Sequence, residues 1–183
     1  MRALFVTGGA KASLLTSNGC GGTTTPAYCT ANGGTTQYEW INVVTLNTIN
    51  NTTTGSSGYA DYTALSTSLT AGSAYTISLK PAYSGSAYPE YFKVYIDYNN
   101  DKDFTDVGEN VFTSVATSAT ISGSFTIPAA TIVGTKRMRV LMSDAAIASS
   151  CGTFSYGEVE DYSVNITAGG TSSCGTPAGL TAS

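Results

Sequence analysis

The chain has 183 residues, of which only 11% are charged, with a formal net charge of -4 and no histidine. That length supports one core with appended segments, while the lack of histidine removes serine-histidine and cysteine-histidine nucleophilic machinery and imidazole zinc sites. Scattered basic residues leave no face to neutralise phosphates, so nucleic acid is not an expected partner, and no run of about 18 apolar residues is available to span a membrane.

Residues 1–27 read as an N-terminal arm, with a short apolar run Ala3-Leu4-Phe5-Val6, a weaker one at Leu14-Leu15 and a Gly/Thr-rich stretch to Thr25-Pro26. The first run is too short for a signal-peptide core, so a removed signal or a fragment is expected. A short apolar strand with free backbone donors and acceptors suits the open edge of a neighbour's sheet. Repeated without closure, that contact builds a filament, so head-to-tail self-association is the expected assembly.

From Tyr28 the texture changes to period-2 alternation broken by Gly, Asn and Ser clusters, which predicts strands and turns. Strands are predicted at 38–46, 74–80, 91–98, 110–115, 120–127, 135–143 and 156–167. Within 91–98, Phe92, Val94 and Ile96 point one way and Tyr91, Lys93 and Tyr95 the other; Met138, Val140 and Met142 alternate likewise with Arg137 and Arg139. Seven or more strands with short polar turns predict an all-β fold of two packed antiparallel sheets, an Ig-like or jelly-roll-like sandwich. The Asn/Thr/Ser/Gly stretch 47–57 is expected to be an exposed loop without packing duty.

The densest local signal is the acidic stretch 97–109. Asp97, Asn99, Asp101 and Asp103 place oxygen-bearing side chains at every second position, and Glu109 follows. Hard oxygen donors converging from one tight loop suit calcium, which takes six to eight such ligands. The pattern resembles half of an EF-hand loop but has Lys102 where that loop carries Gly, its last carboxylate one residue late, and strands instead of flanking helices. A calcium loop in a β-protein is therefore expected. Glu158 and Glu160 share a strand face with Tyr162 and Val164, so at least one carboxylate turns inward, with Arg137 or Arg139 as its expected partner and the calcium ion as the alternative.

Cys20, Cys29, Cys151 and Cys174 lack the close spacing of a metal knuckle, so disulfides and an oxidising compartment are expected, with all three pairings open. Twelve tyrosines and Trp40 also raise carbohydrate stacking.

The run Cys151-Gly152-Thr153-Phe154-Ser155-Tyr156-Gly157-Glu158-Val159-Glu160-Asp161-Tyr162 resembles the GEVED domain of secreted, multidomain Bacteroidetes-type proteins. Tyr28-Cys29, Tyr59-Ala60-Asp61-Tyr62-Thr63, the stretch from Tyr83 to Tyr91 and the acidic loop fall in the same order, so the likeness covers 28–167. It implies a β-sandwich with a calcium-type loop, secreted or on a bacterial cell surface, without catalytic residues. Cys29 and Cys151 bracket that body and are expected to bridge, leaving Cys20 and Cys174 to pair. Residues 168–183 resemble a linker and the start of a fibronectin type III repeat. The expected function is a non-catalytic structural or adhesive calcium-binding module, with an accessory carbohydrate- or surface-binding module of a secreted hydrolase as the alternative.

Overall fold

The computed structural model describes residues 26–170, which form eleven strands and no helix. In chain order these are β1 (Ala31–Asn32), β2 (Glu39–Leu46), β3 (Ile49–Thr52), β4 (Tyr59–Thr70), β5 (Ala74–Tyr83), β6 (Tyr91–Ile96), β7 (Asn110–Thr113), β8 (Ile121–Thr126), β9 (Gly134–Ser143), β10 (Gly152–Thr153) and β11 (Gly157–Thr167). A five-stranded sheet runs β4-β11-β9-β6-β7, a four-stranded sheet runs β3-β2-β5-β8, and β1 pairs with β10. The expected all-β sandwich is what forms. The Ala3–Val6 run, Cys20, Cys174 and the fibronectin-like tail lie outside the described residues.

Period-2 alternation does the sorting. Phe92, Val94 and Ile96 on β6, Met138, Val140 and Met142 on β9, and Tyr162, Val164 and Ile166 on β11 are buried against Ile41, Val44 and Leu46 of β2 and Ile77 and Leu79 of β5. The opposite face of the five-stranded sheet is also covered. Tyr95, Leu141 and Val159 pack there against Ala31, Phe104 and Ile147, flanked by Tyr28, Tyr59 and Phe154. The segment carrying Tyr28 to Asn32 is held on that outer face by the Cys29–Cys151 disulfide, with Cα atoms 5.7 Å apart.

Three expectations are revised. All seven predicted strands are present with small shifts of bounds, but β4 is an additional twelve-residue strand. It lies parallel to β11, in register from Tyr59↔Val159 to Thr70↔Thr167 with one irregularity after Tyr62, so the larger sheet is mixed. The stretch 47–57 is not an idle loop: Ile49–Thr52 pairs with β2 and buries Ile49. Its polar residues are there because buried groups need them. Asn51 Nδ2 donates to Tyr162 Oη at 2.9 Å, and Ser56 donates to Glu158 through both backbone N–H and hydroxyl, at 2.8 and 2.7 Å.

Candidate functional site

The acidic loop connects β6 to β7, and its two ends are its buried carboxylates. Asp97 directly follows β6 and Glu109 directly precedes β7; both are buried, whereas Asn99, Asp101, Thr105 and Asp106 are exposed. Asp97 Oδ1 accepts the Asn100 N–H and Asp97 Oδ2 accepts the Lys102 N–H. The next oxygens repeat the pattern two residues on. Asn99 Oδ1 takes the Asp101 N–H at 3.1 Å, Asp101 Oδ1 the Asp103 N–H at 3.1 Å, and Asp103 Oδ1 the Thr105 N–H at 2.8 Å. Such side-chain-to-backbone turns wind the chain into a tight spiral. Glu109 closes it by accepting the Tyr98 N–H at 2.9 Å and the Asp106 N–H at 3.3 Å.

Lys102 has φ 78°, and Asn100 φ 67°. Lys102 therefore adopts the left-handed backbone that favours glycine at the sixth position of an EF-hand loop. The turn persists without the glycine, held by Asp97 beneath it and by Lys102 Nζ donating to Asn100 Oδ1 at 2.6 Å.

Asp97 also ties the loop to a distant part of the chain. Tyr28 Oη donates to Asp97 Oδ2 at 2.6 Å, and the Tyr28 ring stacks on Phe104 with centroids 5.2 Å apart. Arg137 lies 4.7 Å from the Tyr28 ring centre, and Lys102 Nζ lies 5.2 Å from it. Burial, followed by the hydrogen bond to Asp97, pushes the Tyr28 phenol far up, so it stays a donor at any physiological pH.

As a cation site the loop has the right donors but an open arrangement. Asp101 and Asp103 each spend one oxygen on a backbone N–H, and Asp97 and Glu109 spend both. Asn99 Nδ2 donates to Asp101 Oδ2 at 2.9 Å and also to Asp106 Oδ2, so one amide group bridges two carboxylates. Hard oxygen chemistry between two acids suits a divalent cation of the calcium type. Among the described residues, however, no three acidic, cysteine or histidine side chains converge into a ready metal cluster. Asp97 and Glu109 face inward to the loop's own N–H groups, and Asp101 and Asp106 meet on its outer side. Asp106 was absent from the sequence-derived set; nothing but its place near the end of the acidic run could have pointed to it. Burial pushes the Glu109 carboxyl up against the lowering effect of its two backbone donors.

The second feature, Gly157-Glu158-Val159-Glu160-Asp161, opens β11, and every one of its residues is buried. Gly157 has φ 125°, and a Cβ there would stand 2.0 Å from Met142 O, so only glycine fits. Glu158 points between the sheets and accepts the Ile41 N–H at 2.9 Å as well as both donors of Ser56. Glu160, on the same face, accepts Tyr162 Oη at 2.6 Å and Thr53 Oγ1 at 3.4 Å.

The expected ion pair of Glu158 or Glu160 with Arg137 or Arg139 does not form. Those arginines lie on the other face of the sheet, where the antiparallel register sets Asp161 opposite Arg139. Asp161 takes both: Arg139 Nε and Nη2 bind its two oxygens at 2.8 and 2.9 Å, and Arg137 Nη1 binds Oδ2 at 2.8 Å. Tyr59 Oη adds a fourth donor at 3.1 Å. Arg139 Nη1 then donates to Cys29 O and Ser150 O, both at 3.0 Å, fastening the two chain segments that the disulfide joins. Without an arginine beside it, Glu160 is pushed up to about 8, chiefly by burial. Val159, between the two glutamates, packs in the outer cluster with Leu141 and Phe104.

The pentapeptide is thus a lock. Its glycine admits a close backbone, its glutamates join the two sheets, and its aspartate ties β11 to β9 and the disulfide segment. No curated protein matches the chain significantly. The family model of the GEVED domain matches residues 91–165, from the first residue of β6 to near the end of β11, and so takes in both the acidic loop and the lock. Over residues 91–165, then, the chain is similar to the GEVED domain family.

Proposed function

We propose that the chain is an extracellular, non-catalytic structural or adhesive module whose acidic loop binds calcium. The observation that carries this reading is the loop spiral, in which Asp97, Asn99, Asp101 and Asp103 each turn an oxygen onto a backbone N–H and Asn99 stands between Asp101 and Asp106. A cation entering there replaces the amide bridge between two carboxylates. The non-catalytic part is supported by the use of Glu158 and Asp161 as fully hydrogen-bonded supports. The disulfide fits an oxidising, extracytoplasmic setting.

A cation that binds only the folded state stabilises it by about 2.7 kcal/mol at a hundred times its dissociation constant. The test is thermal unfolding in calcium and in chelator, for the wild type and for Asp101→Ala, whose exposed side chain is not needed for the core. Calcium should raise the wild-type melting temperature and leave the variant unmoved. A wild-type melting temperature identical in both media would discard calcium. Head-to-tail assembly through the arm is the proposed form of the structural role. Deleting residues 1–9 should then abolish filaments seen by negative stain, and an unchanged assembly state would remove that role.

A further inference from the structure

A cleft at one end of the sandwich combines exposed tyrosines with carboxylates and no basic residue. Tyr38, Tyr88 and Tyr156 are 48%, 56% and 40% exposed, and with Pro89, Glu39 and Asp144 they line a space of about 430 Å³. The Tyr38 and Tyr156 rings meet edge to face, with centroids 5.8 Å apart. Glu39 opens β2, buried at 4% exposure, and Asp144 follows β9 directly.

Behind this lining lies Glu90, wholly buried, with neither carboxylate oxygen hydrogen-bonded. It precedes β6, and the register Tyr91↔Ser143 sets it beside Asp144. Even-numbered side chains of β6 face the space between the sheets, so Glu90 turns toward the end of the interior that Glu39 closes from the opposite sheet. A buried carboxylate without a donor is unfavourable. Burial, then Glu39, then Asp144 push Glu90 up to about 8, and burial and Asp144 raise Glu39 in turn. The salt bridges among the described residues all involve Asp161, on the other side of the sheet.

We propose that this cleft binds an organic cation, the lysine or arginine side chain of a partner polypeptide, its stem against the tyrosine rings and its charged end toward Glu39, Asp144 and Glu90. A neutral sugar would stack on the same rings and donate hydrogen bonds, but it would leave the negative charge of this carboxylate cluster uncompensated. A bare metal ion would answer the charge, yet the cleft is far larger than an ion and its rim is aromatic. Slim aliphatic stems ending in a cation answer both features, since aromatic faces attract cations and carboxylates pair with ammonium or guanidinium.

The test titrates the full chain, by calorimetry and proton NMR, with Nα-acetyl-arginine methylamide and Nα-acetyl-lysine methylamide. Glucosamine disaccharide, neutral N-acetylglucosamine disaccharide and calcium chloride form separate arms. Both amino-acid amides should bind with dissociation constants on the order of 1 mM, more weakly as salt rises. Glu39→Gln should weaken them about tenfold and Tyr88→Ala about threefold. Cation binding near pH 7 should release a proton in the wild type but not in Glu90→Gln, as read from the heat in buffers of different ionisation enthalpy. Any of these results would overturn the proposal: no saturable binding of either amide; equal binding of the neutral disaccharide; binding of the glucosamine disaccharide alone; or displacement of the amides by calcium chloride at constant ionic strength. Unchanged affinity in a Glu39→Gln/Asp144→Asn variant that melts like wild type would do the same. Calcium at the acidic loop is read separately by Asp101→Ala, so the two proposals fail independently.

Discussion

Replacing Glu160 by Gln should make the protein more stable at high pH and leave it nearly unchanged at low pH. Glu160 lies between the sheets and is pushed up to about 8, against about 4.3 in an unfolded chain. Below the unfolded value both states are protonated and the group is neutral in its effect. As pH rises from there the unfolded chain releases a proton that the fold retains, so unfolding gains and stability falls until pH passes about 8. At about 1.4 kcal/mol for each pH unit the full loss has an upper bound of about 5 kcal/mol, a large share of the roughly 5–15 kcal/mol by which domains are stable. Glutamine keeps an acceptor for Tyr162 Oη, itself held by Asn51, so the variant should match the wild type within about 1 kcal/mol near pH 5. At about pH 9 it should exceed the wild type by about 2–5 kcal/mol. Urea unfolding across this range, with chelator present throughout, gives the comparison. Parallel stability curves for the two proteins would refute the claim that Glu160 is buried unpaired with a positive charge.

Asp161→Asn should cost about 3–5 kcal/mol, because it strips the buried Arg139 of its paired charge; a fall in melting temperature of about 10 °C is the expected reading. Replacing Cys29 and Cys151 by Ser opens a loop of sequence separation 122 and should cost about 4–5 kcal/mol in the chain-entropy account, measured by urea unfolding against the oxidised wild type. Lys102→Gly relieves a positive φ worth about 1 kcal/mol but gives up the Nζ contacts with Asn100 and Tyr28, so a net gain of about 0.5 kcal/mol is expected from the same measurement.

The sandwich was legible wherever strands alternate apolar and polar residues. The strands β6 and β9 show it most clearly, since Phe92, Val94, Ile96, Met138, Val140 and Met142 all reach the core. The strand β4 escaped because it is an edge strand with Ala64, Ser66 and Ser68 exposed, and only Thr67 and Leu69 are buried. Stretch 47–57 escaped for a different reason. Its Asn, Thr and Ser residues carry no hydrophobic signal, yet they supply hydrogen bonds to Tyr162, Glu160 and Glu158 from residues more than a hundred positions away. In the acidic loop, spacing pointed to Asp97, Asn99, Asp101 and Asp103, whereas the Tyr28 contact across a sequence distance of 69 could not be read locally. Alternation also showed that Arg139 and Glu160 occupy fixed faces, but assigning Asp161 to the arginines required the β9/β11 register.

The position of β11 governs how the chain comes together in time. It is the last of the described strands in chain order, yet it sits inside the larger sheet between β4 and β9. Its contacts with β4 join residues about a hundred apart, as in the Ser163 hydroxyl donating to Thr63 O, where the separation is 100. A chain emerging from its N-terminus therefore carries two bare sheet edges until residue 167 is free, and exposed edges invite pairing with other chains. Long-range closure of this kind makes folding slow and nearly all-or-none. Any C-terminal truncation that reaches into β11 removes the keystone of the sheet, so the segment that carries the GEVED residues also acts as the completion signal for the whole fold.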